Sequence, residues 1–325
     1  MSNTTIIKDC IYRFIQVPDL CKSFIDTVEF QRLRHIKQLG LVQFTYPSAA
    51  HSRFEHSLGV MHLAGVVADE LSRHGADISQ REKELLQLAG LLHDVGHMAF
   101  SHLFDYMLED NGHDLLHEER SCLVLSQIND RLGLLTKEEV LKVSRMIHGF
   151  VPDEEKNPKS FLYEIVSNQA FGLDVDRLDY LQRDSYHTGM PSFQPDYLIS
   201  CMRVQNGKLV VLEKAKPEIE MLYETRKRLL TLVCRHKTIL AIENLIREGI
   251  KRLGYIENWE NLAKGEWMKL DDIEVYQAMR RQCPDLILKI ETRDWDKAVS
   301  PDRFKHITLI SRDSIDKKIA DVRFI

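Results

Sequence analysis

Long apolar runs are missing from this 325-residue chain. No stretch reaches the roughly 18 consecutive apolar residues that a membrane-spanning helix needs, and the N-terminal MSNTTIIKDC has no basic segment leading into an apolar one. Neither a membrane span nor a signal peptide is expected; the expected location is cytoplasmic, or nuclear in a eukaryotic cell. Paired cysteines are missing too. Cys10, Cys21, Cys122, Cys201, Cys234 and Cys283 form no CxxC, which argues against a zinc ribbon or a disulfide framework and predicts reduced thiols. Charge of one sign is scarce: 44 Lys and Arg against 49 Asp and Glu leave a net charge of −5. That excess exerts no general pull toward nucleic acid or an acidic membrane, so neither partner is expected. An anionic substrate would have to be met by locally gathered Arg, Lys and metal charge. Internal repeats and low-complexity segments are also absent. What is present is 44% hydrophobic residues, enough for a sizeable core in one large or two modest domains.

The pattern is mainly helical. Residues 6–28 read as an irregular or short-strand entry. Phe30, Leu33, Ile36 and Leu39 recur every three residues and predict a helix over 29–40 stopped by Gly40. A second helix is expected from about Phe54 to His74. Ser79 with Glu82, and Thr136 with Glu139, are capping boxes; they predict helices over about 80–95 and from Thr136 to about Ile147. The first is apolar nearly all round and is therefore expected to be central. Further helices are expected over 160–168, 173–184 and 193–200. Asn206-Gly207 is a strong hairpin signal between 201–205 and 208–212. From Pro217 a helical pattern runs to Arg252 and stops at Gly254, a predicted span of about 50 Å at about 1.5 Å per residue. Shorter helices (271–282, 284–291) and a strand (306–310) complete a C-terminal appendage. The fold class is thus mainly α, with a small β-hairpin, a core over 1–254 and a short α/β subdomain over 255–325.

At the end of the central helix stands Leu92-His93-Asp94-Val95-Gly96-His97, followed by Phe100-Ser101-His102. A His-Asp doublet delivers an imidazole and a carboxylate to one point, and Gly96 lets the backbone pass close beside them. A metal cage needs three or four convergent N or O ligands, and His56, His93, Asp94 and Asp176 are the candidates. A lone histidine is more often a satisfied core imidazole; the doublet at the inner end of a hydrophobic helix is what points to a metal. Mixed His and carboxylate ligation suits Mn, Fe, Zn, Co or Mg rather than a thiolate-selective ion.

The series His56, His93-Asp94, Asp176 resembles the H…HD…D pattern of the HD phosphohydrolase superfamily. Phe30–Arg34, Ile36–Gly40, Arg53–Val60, His93–His97, Phe100–His102, Ser160–Asn168 and Asp174–Arg177 resemble, in order, the deoxynucleoside triphosphate triphosphohydrolases of the SAM-and-HD-domain branch. The similarity covers roughly residues 5–240, the HD core, with no stretch matching a SAM domain. It implies a divalent metal on His56, His93, Asp94 and Asp176, with a second Mg on the substrate phosphates as a further expectation. It also implies active-site roles for His97, His102 and His117, with Asp105 orienting one of these imidazoles. Arg53, Arg177 and Arg226 are implied as phosphate-binding residues, and Gln38, Leu39, Tyr180 and Asp184 as readers of the sugar. Asp26, Gln31 and Arg34 match guanine-reading residues of an allosteric nucleotide pocket. Where that pocket expects basic residues after the hairpin, however, this chain has Leu212 and Glu213, leaving Lys214. His113 is taken as a surface residue. The branch carries a Tyr-Gln pair where this chain has Cys234-Arg235, which removes an aromatic wall from the sugar and base pocket.

The implied activity is metal-dependent hydrolysis of a (deoxy)nucleoside triphosphate to nucleoside and inorganic triphosphate, by a homo-oligomer, dimer or tetramer. The alternatives are a phosphohydrolase acting stepwise on nucleotide phosphates or on a signalling nucleotide, and a nucleotide sensor or nucleic-acid-binding effector in which hydrolysis is secondary.

Overall fold

The computed structural model describes residues 5–113, 115–150, 158–192, 194–295 and 312–325. The chain begins with an antiparallel hairpin, β1 (Thr5–Asp9) and β2 (Arg13–Val17), the short-strand form of the entry expected there. Helices α1 (Asp19–Ile25) and α2 (Val28–Gln31) follow. The helix expected over 29–40 ends early. A single 3-10 turn, Arg32–His35, continues α2, and Ile36 is extended. A spacing of three suits a 3-10 turn as well as an α-helix. What breaks the helix is tertiary pairing: Lys37 bridges Ser52, Gln38 N–H donates to the His51 carbonyl (3.0 Å), and Arg53 N–H donates to that of Ile36 (2.9 Å). Gly40 sits at φ +52°, so it makes a left-handed turn rather than a helix stop.

Helices α3 (Arg53–Arg73) and α4 (Gln80–Leu92) form the centre. Their axes approach closely at Gly90, where an added Cβ would lie 3.1 Å from the Val60 carbonyl oxygen. Leu85, Leu88, Leu91 and Leu92 are buried, each contributing about 1.5–3 kcal/mol of burial. The capping boxes form as expected: Glu82 N–H donates to Ser79 Oγ (3.2 Å), and Ser79 N–H to Glu82 Oε2 (3.0 Å). Around this pair lie α5 (His102–Asp110), α6 (His117–Leu132) and α7 (Lys137–His148), the last opened by the Thr136 and Glu139 box. A 3-10 turn over Ser160–Glu164 replaces the helix expected at 160–168. Helix α8 (Val175–Thr188) packs across α3, and α9 (Pro195–Ser200) leads into the predicted hairpin, β3 (Met202–Gln205) and β4 (Lys208–Val211).

The single 50 Å helix does not form. Helix α10 (Lys216–Arg228) passes into one stretch of π-helix, Leu229–Cys234, and α11 (Lys237–Arg252) restarts with His236 as its N-cap. π segments interrupt helices where side chains must be re-aimed, often at functional sites. Helices α12 (Trp259–Leu262), α13 (Asp272–Gln282), α14 (Pro284–Glu291) and α15 (Arg312–Asp321) complete the described chain. Phe324 bridges Val211, and Arg323 pairs with Glu164 (2.7 Å). The strand expected at 306–310 lies outside the described residues. Among the described residues no helix is long and apolar enough to cross a membrane.

Candidate active site

The loop after α4 is fixed from three sides. Ser121 on α6 donates to the His93 carbonyl (2.7 Å) and accepts from Gly96 N–H (2.9 Å). Arg120 Nε donates to the Gly96 carbonyl (2.8 Å). Arg32 Nη2 donates to the carbonyls of Val95 (2.8 Å) and His97 (2.6 Å). The need for glycine at 96 is space, not a left-handed backbone: an added Cβ would lie 2.2 Å from the His117 carbonyl oxygen. Beyond the loop, Phe100 and Ser101 both have φ +57°, a conformation costing about 1–3 kcal/mol per non-glycine residue. Asp272 holds that turn by accepting from the N–H groups of Phe100 (2.6 Å) and Lys37 (2.9 Å). The turn starts α5 with His102 directed toward the loop histidines.

Two clusters result. In the first, His56 Nε2 and His93 Nε2 lie 3.0 and 3.4 Å from Asp176 Oδ1. Two atoms each about 2.1 Å from a common ion and 90–110° apart are separated by about 3.0–3.4 Å, so the spacing fits one divalent ion. The tautomers fit as well. His56 Nδ1 faces Asp179 Oδ2 (2.7 Å) and His93 Nδ1 faces the Gly90 carbonyl (2.8 Å), so each ring spends its N–H there and turns a bare Nε2 inward. His93 Nε2 is buried with no hydrogen-bond partner. Asp94 stands beside the trio rather than within it. Its Oδ2 is 3.6 Å from His56 Nε2 and pairs closely with Arg53, while its Oδ1 is 3.5 Å from His93 Nε2 and 3.3 Å from His97 Nε2. Burial would raise the Asp94 carboxyl, but Arg53 and the two imidazoles hold it well below the usual range. Asp176 is likewise lowered by His56 and His93 against its own burial. Burial would lower His56, yet its bonds to Asp176 and Asp179 raise it to about 10 when no ion competes for Nε2.

In the second cluster Asp105 underlies three imidazoles. Its Oδ2 is 3.2 Å from His117 Nδ1, 3.6 Å from His97 Nδ1 and 3.9 Å from His102 Nδ1, and Oδ1 pairs with Arg120. His97 and His117 stack at 4.0 Å. Burial, then Arg53 and His117, push His97 well below the ordinary histidine value. His102 is lowered by the same three causes, but the cavity reaches 53% of its side chain, so solvent weakens that shift.

Both clusters open into one cavity of about 420 Å³, which is also lined by Gln38, Leu39, Arg53, Arg177, Tyr180, Asp184 and Arg226. Arg177 is tied to Asp174, the N-cap of α8, and Asp184 to His51 (2.8 Å). Asp26, Gln31 and Arg34 do not line this cavity. Arg34 Nε donates to Gln31 Oε1 (2.8 Å), and Asp26 is exposed at the end of α1. His113 lies near Trp259, outside the cavity. Sequence reasoning missed Asp179, which accepts from Tyr12 Oη (2.8 Å), from both Arg183 Nε (2.9 Å) and Arg183 Nη2 (3.0 Å), and faces His56. Its signal was available: Asp176, Asp179 and Arg183 are spaced i, i+3, i+7 along one helix face. Glu118, 3.3 Å from His117 Nε2, and Ser101, which accepts from Arg53 Nε (2.9 Å), were also missed.

The sequence model of the HD domain matches residues 53–184. A Dictyostelium discoideum protein named deoxynucleoside triphosphate triphosphohydrolase SAMHD1 homolog is 38% identical over 256 residues, covering 76% of this chain and 49% of the relative. The Gallus gallus deoxynucleoside triphosphate triphosphohydrolase SAMHD1 is 32% identical over 365 residues, covering 98% and 59%. A putative HD domain-containing protein, L394, of Acanthamoeba polyphaga mimivirus is 34% identical over 256 residues, covering 73% and 55%. The chain spans about half the length of the curated relatives it matches.

Proposed function

This chain belongs to the HD-domain proteins, and from that premise we propose that it hydrolyses deoxynucleoside triphosphates to nucleoside and inorganic triphosphate. One observation carries the proposal: a carboxylate-imidazole trio with metal-ligand spacing and a second histidine cluster share one cavity with Arg53, Arg177 and Arg226. His56, His93 and Asp176, with Asp94 beside them, would hold a divalent ion, manganese in our proposal. Such an ion supplies Lewis acidity toward a phosphoryl oxygen and lowers the pKa of water.

The chain's own residues do the rest. Arg53, already oriented by Asp94 and Ser101, and Arg226 neutralise the nonbridging oxygens. Arg177 is held against Asp174 and adds charge at the cavity wall. Water adds to the α-phosphorus as the bond to the 5′ oxygen breaks, and that oxygen takes up a proton. His102 is the donor in this scheme because it is the imidazole the cavity reaches most, against 0% for His97 and 19% for His117. Burial and then the Arg53 charge disfavour the protonated His102; an arriving triphosphate offsets the Arg53 charge, so substrate binding itself favours loading the proton. Asp105 fixes the histidine stack from below. Gln38, Leu39, Tyr180 and Asp184 bound the sugar. Homo-oligomerisation, to a dimer or tetramer, belongs to the same proposal and rests on the sequence resemblance. A second Mg on the phosphates and nucleotide binding at Asp26, Gln31 and Arg34 rest on it too, while the division at residue 254 rests on the helical pattern that stops at Gly254.

Purified protein with Mn²⁺ offered each dNTP and NTP, with products resolved by ³¹P NMR, tests the activity. Inorganic triphosphate is the expected product. Orthophosphate or pyrophosphate alone, with successive shortening of the chain, would favour the stepwise alternative instead. Light scattering with and without GTP tests the assembly, with a mass above one chain expected.

A further inference from the structure

A second cavity, of about 140 Å³, adjoins the first and shares Gln38, Leu39, His102, Tyr106, Leu230 and Cys234 with it. Beyond that shared mouth its wall is apolar, with Val42, Phe100, Leu103 and Ile239 among its residues. Of the polar side chains there, Ser101 is satisfied, since it donates to the Lys37 carbonyl (2.8 Å) and accepts from Arg53. The other is Glu243 on α11, for which no hydrogen-bond or ion-pair partner is found among the described residues. Its helical neighbour Arg247 is turned to Asp110 (3.4 Å). Burial pushes the Glu243 carboxyl up to about 7 against the pull of Arg247, so the acceptor-only carboxylate prevails above that pH, and two N–H donors facing it would draw the value down. An apolar-walled recess with one unpartnered polar group beyond its mouth suits a heteroaromatic ring. It opens past Gln38 and Leu39, which the proposed function places at the sugar.

We propose that this cavity receives the nucleobase and that Glu243 reads its Watson–Crick edge in favour of guanine. The inference rests on the nucleotide-hydrolase function proposed above. A carboxylate has two acceptor oxygens and no donor. Guanine answers with two adjacent donors, N1–H and the exocyclic amine. Adenine and cytosine set a donor beside an acceptor lone pair, and thymine sets one donor between two acceptors, so each meets the carboxylate with at least one repulsive contact. Space for the base comes from Cys234 and Leu230, small or flexible where an aromatic ring would close the mouth.

The test compares kcat/KM for dGTP, dATP, dCTP and dTTP on the Mn²⁺-loaded protein and on Glu243→Gln. It runs beside equilibrium dialysis of deoxyguanosine and deoxyadenosine against both, with thermal unfolding as the folding check. The wild type should favour dGTP about tenfold or more, the size of one good hydrogen-bonded discrimination. A glutamine offers one acceptor and one donor, the pattern that pairs with adenine, so the dGTP to dATP ratio should fall below one in the variant. Hydrolysis of all four dNTPs at ratios that Glu243→Gln leaves within twofold would overturn the base-reading site while leaving the hydrolase function standing. Retention of deoxyguanosine over deoxyadenosine that Glu243→Gln abolishes, without hydrolysis of any dNTP, would sustain the base site and remove the hydrolase function. If the variant does not fold, Cys234→Phe, which blocks the mouth, should lower deoxyguanosine retention in the same dialysis; unaltered retention would overturn the proposal.

Discussion

Asp179→Asn separates the metal site from its support. Asp179 is fully buried and takes four hydrogen bonds, two from Arg183 and one each from Tyr12 and His56. Asparagine keeps the shape but has one acceptor oxygen, so either His56 Nδ1 with Arg183 Nε, or Tyr12 Oη with Arg183 Nη2, must face its amide N–H₂. Breaking a buried ion pair costs about 3–5 kcal/mol. Here the lower end applies, because Arg183 keeps Asp9 at 2.9 Å. Removing an outer-shell partner of a ligating histidine typically weakens metal affinity by about 10–100-fold. Urea unfolding and Mn²⁺ titration calorimetry read the two effects independently. A pH series adds a third. Burial would raise the Asp179 carboxyl, but Arg183 and His56 bring it down to about 2. Its contribution is therefore fully present above the unfolded value of about 3.9 and is lost as pH falls through about 2. Asp179→Asn should show a shallower acid limb in that window. A folded variant with wild-type Mn²⁺ affinity would refute the claim that Asp179 orients His56.

Gly96→Ala should lower Tm and activity together, since its Cβ meets the His117 carbonyl at 2.2 Å and overpacking costs about 1–3 kcal/mol. Calorimetry with a rate assay checks this. His102→Ala should lower kcat by about 10²–10⁴-fold with little change in the Mn²⁺ isotherm. An equal loss of Mn²⁺ affinity would instead place His102 among the ligands. Cys234→Tyr should narrow the mouth between the two cavities, lower kcat/KM for every nucleotide whose base must pass it, and raise the dNTP to NTP ratio about tenfold, the scale of one steric exclusion. Paired assays with dATP and ATP read this ratio directly.

Local signals made much of the fold legible. The Ser79 and Thr136 boxes satisfy their own orphan N–H groups within one turn, so α4 and α7 begin where the sequence puts them. Asn206 and Gly207, both at positive φ, build the second hairpin from within. The failures were non-local. The periodicity of Phe30, Leu33 and Ile36 is real, but pairing with the strand-like segment before α3 pulls Lys37 to Gly40 out of the helix. Nothing between Pro217 and Arg252 breaks a helix, yet six residues of π-helix re-aim Leu229, Leu230 and Cys234 toward the cavity. At the site, the HD doublet and its spacing from His56 and Asp176 marked residues that do converge. Asp94 pairs closely with Arg53 while lying 3.5 and 3.6 Å from the imidazoles of His93 and His56, an arrangement that only the fold reveals. Glu243 carries no motif at all; only the apolar wall around it makes it conspicuous.

Hydrolysis of dGTP in ¹⁸O-enriched water tests the central claim most directly. Water attacking the α-phosphorus leaves the label in inorganic triphosphate, read by the ³¹P isotope shift at a terminal phosphate, with unlabelled deoxyguanosine. Label in the 5′ hydroxyl of the nucleoside, or in orthophosphate released from the γ end, would contradict it.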